Sequence, residues 1–213
     1  MDFLSREISD YCEQHSSEED ELLKNLRRET HLHVLSPRML SGHLQGRVLS
    51  AISQLIQPRA ILEIGTYTGY SAICLSEGLA ADGKLTTIDY NPEYKTIHEK
   101  FLLQSAKANQ IEVIYDKATS AIPLLEGPFD LVFIDADKEN YAVYFDLVID
   151  KLKSGGVILA DNVLWSGKVI EPLKANDKST AAIVAFNEKI KQDNRVEKVL
   201  LPIRDGIFFI RKL

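Results

Sequence analysis

Three apolar runs, Leu85–Asp89, Leu131–Asp135 and Val157–Asp161, each end in an aspartate, and Asn162 follows the last at once. Short continuous apolar runs of this kind read as strands buried on both faces, the pattern of a parallel sheet covered by helices. Stretches with helical spacing separate them, so the chain is built from β-α units. In open α/β sheets the carboxyl ends of the strands form the edge where ligands bind. Acids delivered to one such edge propose a site together with a fold.

The remaining segments extend this pattern. Ser17, with Asp20 three residues on, has capping-box spacing ahead of Leu22, Leu23 and Leu26. A second helix is expected over about Ser41 to Gln57, with Leu44, Val48, Ile52, Leu55 and Ile56 on one face. After Pro58 the predicted order is strand Ala60–Ile64, helix Tyr70–Ala80, strand Lys84–Asp89, and a helix from Asn91-Pro92 to about Ala108. There follow strand Ile111–Tyr115, a short helix over Ser120–Leu125, strand Phe129–Asp135, helix Glu139–Leu152 and strand Gly156–Ala160. A helix over Thr180–Gln192 precedes strands Val196–Ile203 and Ile207–Lys212, joined at Arg204-Asp205-Gly206, whose Asp-Gly pair signals a hairpin. The expected architecture is a mostly parallel, doubly wound α/β sheet closed by an antiparallel hairpin. It forms a single domain, with residues 1–57 as a helical cap on a core over 58–213.

Composition narrows the classes of function. The 213 residues are 45% hydrophobic and 26% charged, a globular profile, with 25 basic against 31 acidic residues and no basic stripe for nucleic acid. Cys12 and Cys74 lie in helical patterns without metal-ligand spacing and read as reduced thiols of a cytoplasmic protein. The acidic N-terminus lacks a signal-peptide core, and no apolar run approaches the roughly 18 residues that a membrane span needs.

The first strand of the core runs into Glu63-Ile64-Gly65-Thr66-Tyr67-Thr68-Gly69-Tyr70-Ser71. A dinucleotide fingerprint needs glycine two residues after the first, so that backbone can touch a pyrophosphate. Tyr67 stands there, which argues against NAD or FAD, and no Gly-Lys-Ser/Thr follows to make a phosphate loop. Asp89 lies 24 residues after Gly65, near the spacing at which an acid takes ribose hydroxyls. Glycine loop and acid together describe a nucleoside site whose ligand need not be anionic.

These segments, with Phe133-Ile134-Asp135-Ala136-Asp137-Lys138-Glu139-Asn140-Tyr141 and Asp161-Asn162-Val163-Leu164-Trp165, resemble the cation-dependent O-methyltransferases, which include caffeoyl-CoA and catechol O-methyltransferases and small bacterial relatives. The resemblance reaches Leu201-Pro202-Ile203-Arg204-Asp205-Gly206 and covers nearly the whole chain. It implies a Rossmann-like seven-stranded methyltransferase sheet, S-adenosylmethionine (SAM) as methyl donor, and a homodimer. By position it implies that Glu63, Gly65 and Ser71 hold the methionine end and that Asp89 takes the ribose. Tyr90 and Ala118 would border the adenine, with Asp137 and Ser41 as further donor contacts. Where the family commonly has Ser followed by Gly-Gln, this chain has Gly42 and Gly46-Arg47.

Asp135, Asp161 and Asn162 offer two carboxylates and one amide oxygen, a donor set for a hard cation, Mg²⁺ first and Ca²⁺ or Mn²⁺ as alternatives. The resemblance assigns the same three residues as metal ligands. Lys138, three residues beyond Asp135, sits where a lysine is disfavoured by the positive end of a helix dipole. Beside a cation and a sulfonium its pKa should fall, making it the general base that family position also suggests. The expected reaction is metal-assisted methylation of a phenolic hydroxyl, with Asp135 and Lys138 at its centre.

Other features have plainer readings. His31 and His33 read as surface or capping residues, and Lys24, Arg27 and Arg28 as a solvated face. Trp165 reads as core or as a wall of the acceptor pocket. Tyr141, Tyr144 and Phe145 read as core or a dimer face. Competing functions are methylation of a hydroxylated tRNA base, a non-catalytic SAM-binding module, and an NAD-linked oxidoreductase. The acidic balance counts against the first, the retained acids and Lys138 against the second, and Tyr67 against the third.

Overall fold

The computed structural model describes residues 5–213. Strands β1 (Ala60–Ile64), β2 (Lys84–Asp89), β3 (Ile111–Tyr115), β4 (Phe129–Ile134), β5 (Leu152–Asp161), β6 (Val196–Leu201) and β7 (Ile207–Lys212) form one sheet in the order β3-β2-β1-β4-β5-β7-β6. The first five run parallel, and β7 lies antiparallel to both β5 and β6. The expected doubly wound sheet with a closing hairpin is therefore present, and its winding reverses between β1 and β4.

Alternation along the central strands builds a core on each face. Leu62, Ile64, Val132 and Ile134 pack with α7 (Tyr141–Ile149) and α8 (Lys178–Gln192) on one side. Ile61, Leu131 and Phe133 pack on the other with α2 (Glu21–His33), α3 (Gly42–Ile56) and α4 (Tyr70–Ser76). The remaining helices are α1 (Arg6–Gln14), α5 (Lys95–Phe101) and α6 (Ala118–Leu124). No helix among the described residues is long and apolar enough to cross a membrane.

Several local expectations are corrected. Asp20, not Ser17, caps α2, its carboxylate accepting from Leu23 N at 2.8 Å. The helix expected from Asn91-Pro92 to Ala108 is broken: a 3-10 turn over Pro92–Tyr94 leads into α5, and further 3-10 turns cover Leu102–Gln104 and Ala108–Gln110. The helix after the glycine loop stops at Ser76 rather than Ala80, because Gly78 lies against the backbone of α3; a Cβ there would sit 2.2 Å from Ser53 C. β5 begins at Leu152, so Ser154-Gly155-Gly156 lie inside the strand rather than before it, opposite a register shift in β4.

The expected apolar face of α3 is only partly the buried one: Val48, Ile52 and Ile56 pack half-buried against the core. Gln45, Gly46, Leu49, Ser50 and Ser53 face inward, whereas Leu55 is 86% exposed. Close approach to α4 explains this. A Cβ on Gly46 would stand 2.7 Å from the Tyr70 ring, and Ser53 Oγ donates to Leu75 O at 2.6 Å. Small residues allow the two helices to touch, so the fully buried stripe is turned from the apolar one toward α4.

Strand register places the acids. Ile88, Ile64, Ile134 and Ala160 are successive partners across β2, β1, β4 and β5. The next residue along each strand direction gives one row at the carboxyl edge: Asp89, Gly65, Asp135 and Asp161.

Candidate functional site

This row opens into a cleft of about 1380 Å³ that straddles the reversal between β1 and β4. A pocket for one small ligand is roughly 300–1,000 Å³, so the cleft has room for two. Gly65, Tyr67, Asp89, Tyr90, Ala118 and Asp137 line one half. Lys138, Asp161, Asn162, Trp165 and Arg204 line the other, with Asp135 at the junction.

In the first half, Gly65 has φ +102°, and a Cβ there would fall 1.9 Å from the Asp135 carbonyl oxygen. Glycine lets the loop cross directly over the end of β4. Asp89 accepts from Tyr67 N at 2.8 Å and Asn91 N at 2.9 Å, which fixes its carboxylate at the rim. Tyr67 itself takes φ +49°, uncommon for a side chain of this size, and is held from two sides. Its hydroxyl donates to Leu35 O at 3.2 Å, and its carbonyl bonds the buried His98 Nε2 at 2.7 Å. Burial lowers the His98 pKa, which favours the neutral ring that donates from Nε2 and accepts from Tyr115 at Nδ1.

Glu63, Ser71 and Ser41 do not line the cleft; all three are buried behind it. Thr87 donates to Glu63 Oε2 at 2.5 Å, whereas Oε1 has no partner. Burial pushes the Glu63 carboxyl up to about 8, hydrogen bonds from Ser71 and Thr87 oppose the shift, and the charges of Asp135 and Asp89 add to it. Asp137 is engaged at both oxygens, by the Tyr144 hydroxyl and the Asn140 amide.

In the second half, Lys138 Nζ donates to Asp135 Oδ1 at 3.0 Å and to the Tyr141 hydroxyl at 2.5 Å, with only 9% of its side chain exposed. Tyr141 donates on to Asp161 O at 3.0 Å, so one buried hydroxyl ties the lysine to the end of β5. Burial, together with Asp135 and Asp161, holds the Tyr141 pKa well above its ordinary value, so it stays protonated. Asp161 is 2% exposed and its Oδ1 has no partner. Burial first, then the facing charge of Asp135, raises its pKa; Lys138, Gln45 and Arg204 oppose that. Asn162 follows in the left-handed region at φ +59°, which asparagine tolerates better than most residues.

Among the described residues no three His, Cys, Asp or Glu side chains converge, so a metal here must use Asn162 as well as the two acids. The set suits a hard cation. Among those residues Lys138 pairs with Asp135 alone, and a buried Asp161 oxygen lacks a donor.

The acids, Asn162 and Lys138 were legible as strand-end residues. Tyr141 and Tyr144 were read as core or dimer face; they are core residues whose hydroxyls reach the site. Gln45, His98 and Arg204 were missed, because a lone polar residue in a helix or turn carries no spacing signal. His31 lines the cleft mouth with Nδ1 bonded to Arg27 O at 2.8 Å, as a helix-end histidine should.

Residues 13–213 match the family model described as O-methyltransferase. The caffeoyl-CoA O-methyltransferase of Zinnia elegans is 34% identical over 209 residues, covering 92% of this chain and 84% of its own length. That of Stellaria longipes is 32% identical over 208 residues, covering 92% and 85%. Among solved structures, the Bacillus cereus O-methyltransferase in complex with SAH superposes with a TM-score of 0.89 at 28% identity, covering 97% of each chain. TomG of Streptomyces achromogenes, an O-methyltransferase of tomaymycin synthesis in complex with SAM, gives 0.88 at 27% identity, covering 99% of each.

Proposed function

Because the chain belongs to the O-methyltransferase family, we propose that it transfers the methyl group of SAM to a hydroxyl of a catechol-like or phenylpropanoid small molecule, with a divalent cation, Mg²⁺ first, at Asp135, Asp161 and Asn162. The observation that carries this reading is the buried Asp161 carboxylate, unpartnered at Oδ1, beside Asp135 and within the same cluster as Lys138. A non-catalytic SAM-binding module would have no use for that group. A cation bound there would favour ionisation of the acceptor hydroxyl.

The chain's own residues do the rest. Gly65, Asp89, Tyr90, Ala118 and Asp137 cradle the donor, with Glu63, Ser71 and Ser41 shaping that wall from behind. Lys138 takes the hydroxyl proton, held in place by Asp135 and Tyr141. The acceptor oxygen then attacks the methyl carbon in line. The new C–O bond forms as the C–S bond breaks, and its electron pair returns to sulfur. Trp165 closes the acceptor side and keeps water from competing.

The test is a methyl-transfer screen over catechols, phenylpropanoid CoA esters, flavonoids and hydroxylated tRNA, each with and without Mg²⁺. Mg²⁺-dependent methylation of a small phenol is expected; turnover confined to tRNA overturns the acceptor class. Lys138→Ala should lower kcat by about 10²–10⁴-fold while SAM affinity stays within about twofold. A variant with parental kcat would remove Lys138 from the role of base.

Glu63 supplies a second measurement. Burial raises its carboxyl to about 8, which favours the neutral form at pH 7 in the free protein, and the positive charge of SAM nearby would favour its ionisation. SAM binding at pH 7 should therefore release a proton, and the release should fade above about pH 8. Calorimetry in buffers of different ionisation enthalpy reads this directly, and buffer-independent heats would contradict it. Without SAM the sign for folding is opposite: a carboxyl raised from 4.5 to about 8 makes stability fall as pH climbs through that window.

A further inference from the structure

Arg204 occupies the β6–β7 turn at φ +50°, where an ordinary side chain is strained. Its guanidinium crosses to the start of α3. Nη1 donates to Leu40 O at 3.2 Å, to Ser41 O, and to Gln45 Oε1 at 2.7 Å. A glycine would relax the turn but could not make this span.

The consequence lies one residue further in. Pinning Gln45 Oε1 to Arg204 sets the amide, so its NH₂ group must point elsewhere. Gln45 is fully buried, and Nε2 has no partner at hydrogen-bond distance. Asp161 Oδ1 is buried and unpartnered as well. The Gln45 side chain interacts with the Asp161 carboxylate, and Arg204 contributes at longer range. A buried donor and a buried acceptor, each lacking a partner, thus belong to side chains close enough for the Gln45 amide to favour the charged Asp161 carboxylate.

We infer that Gln45, oriented by Arg204, is the positioning residue of Asp161, donating from its amide to the carboxylate and setting the plane it presents to the cation. A carboxylate has about four lone-pair sites, so this hydrogen bond and a metal bond coexist. Partners of this kind orient metal ligands, and their loss typically weakens metal affinity about 10–100-fold. The inference deepens the proposed reaction and rests on its metal.

The test reads metal binding rather than turnover, with Mn²⁺ alone as probe and free Mn²⁺ followed by electron paramagnetic resonance. Gln45→Leu and Gln45→Glu should each weaken Mn²⁺ binding by about 10–100-fold, with SAH affinity unchanged. Arg204→Gly gives up three hydrogen bonds but relieves the strained turn, so it should still fold, yet lose about tenfold in Mn²⁺ affinity. That variant keeps the test open if the buried substitutions fail to fold. If the parent binds Mn²⁺ and the folded variants bind it equally well, the positioning role falls and the metal stands. If the parent binds no Mn²⁺, the metal reading itself fails and the inference falls with it.

Discussion

Treating the protein with EDTA should lower methyl transfer by about 10³-fold, with full recovery on adding Mg²⁺. Lewis-acid stabilisation is worth several kcal/mol, and about 4 kcal/mol corresponds to roughly three decades in rate. Asp161→Ala should lose as much, and EDTA should then cost that variant nothing more, because both remove the same interaction. Turnover that ignores EDTA in the parent would end the metal proposal.

Stability should move the other way. Asp161 is buried against Asp135 and its pKa is raised, so its charged form is penalised in the metal-free fold at neutral pH. Asp161→Asn keeps the shape and removes the charge, so in EDTA it should melt no lower than the parent. A raised carboxyl pKa lets the folded state hold a proton longer, so its contribution weakens as pH rises, and the Asn variant should lose that slope. A variant that melts well below the parent in EDTA would mean that Asp161 supports the fold rather than the site.

Gly65→Ala is expected to be the most damaging single methyl in the chain. The added Cβ would meet the backbone oxygen Asp135 O at 1.9 Å, at φ +102°. Overpacking costs about 1–3 kcal/mol and the disfavoured backbone about as much again, so a loss of about 3 kcal/mol follows. For a chain of this length that lowers Tm by roughly 6–12 °C. Activity should suffer beyond stability, because the displaced carbonyl belongs to Asp135. Measured well below its Tm, the variant should still show reduced SAM binding and kcat. Gly42→Ala is the contrast: nothing lies within 4 Å of its Cβ, so only the left-handed backbone at φ +76° is strained.

Much of this was legible in one dimension. Apolar runs ending at Asp89, Asp135 and Asp161 announce buried parallel strands, because a strand covered on both faces needs no polar alternation. The loop from Glu63 to Ser71 excludes a diphosphate through one side chain, Tyr67. The stripe on α3 held only in part: Val48, Ile52 and Ile56 pack against the core, but the close helix contact is made by Gly46 and Ser53, which let backbones approach, while Leu55 points to solvent. Periodicity reports where apolar residues recur and is silent about which face a neighbouring helix can reach.

The sequence by itself determined the alternation of elements, the chemistry of the strand ends and the hard-oxygen character of the donor set. All are local properties, carried by residue type and near spacing. Tertiary structure alone decided that Asp89, Gly65, Asp135 and Asp161 share one row, since hydrogen-bond register between strands far apart in the chain sets it. It also decided that Tyr141 ties Lys138 to β5, and that Arg204 reaches Gln45 across 159 residues of chain. Such contacts exist only once the two cores have formed and brought the walls of the cleft together.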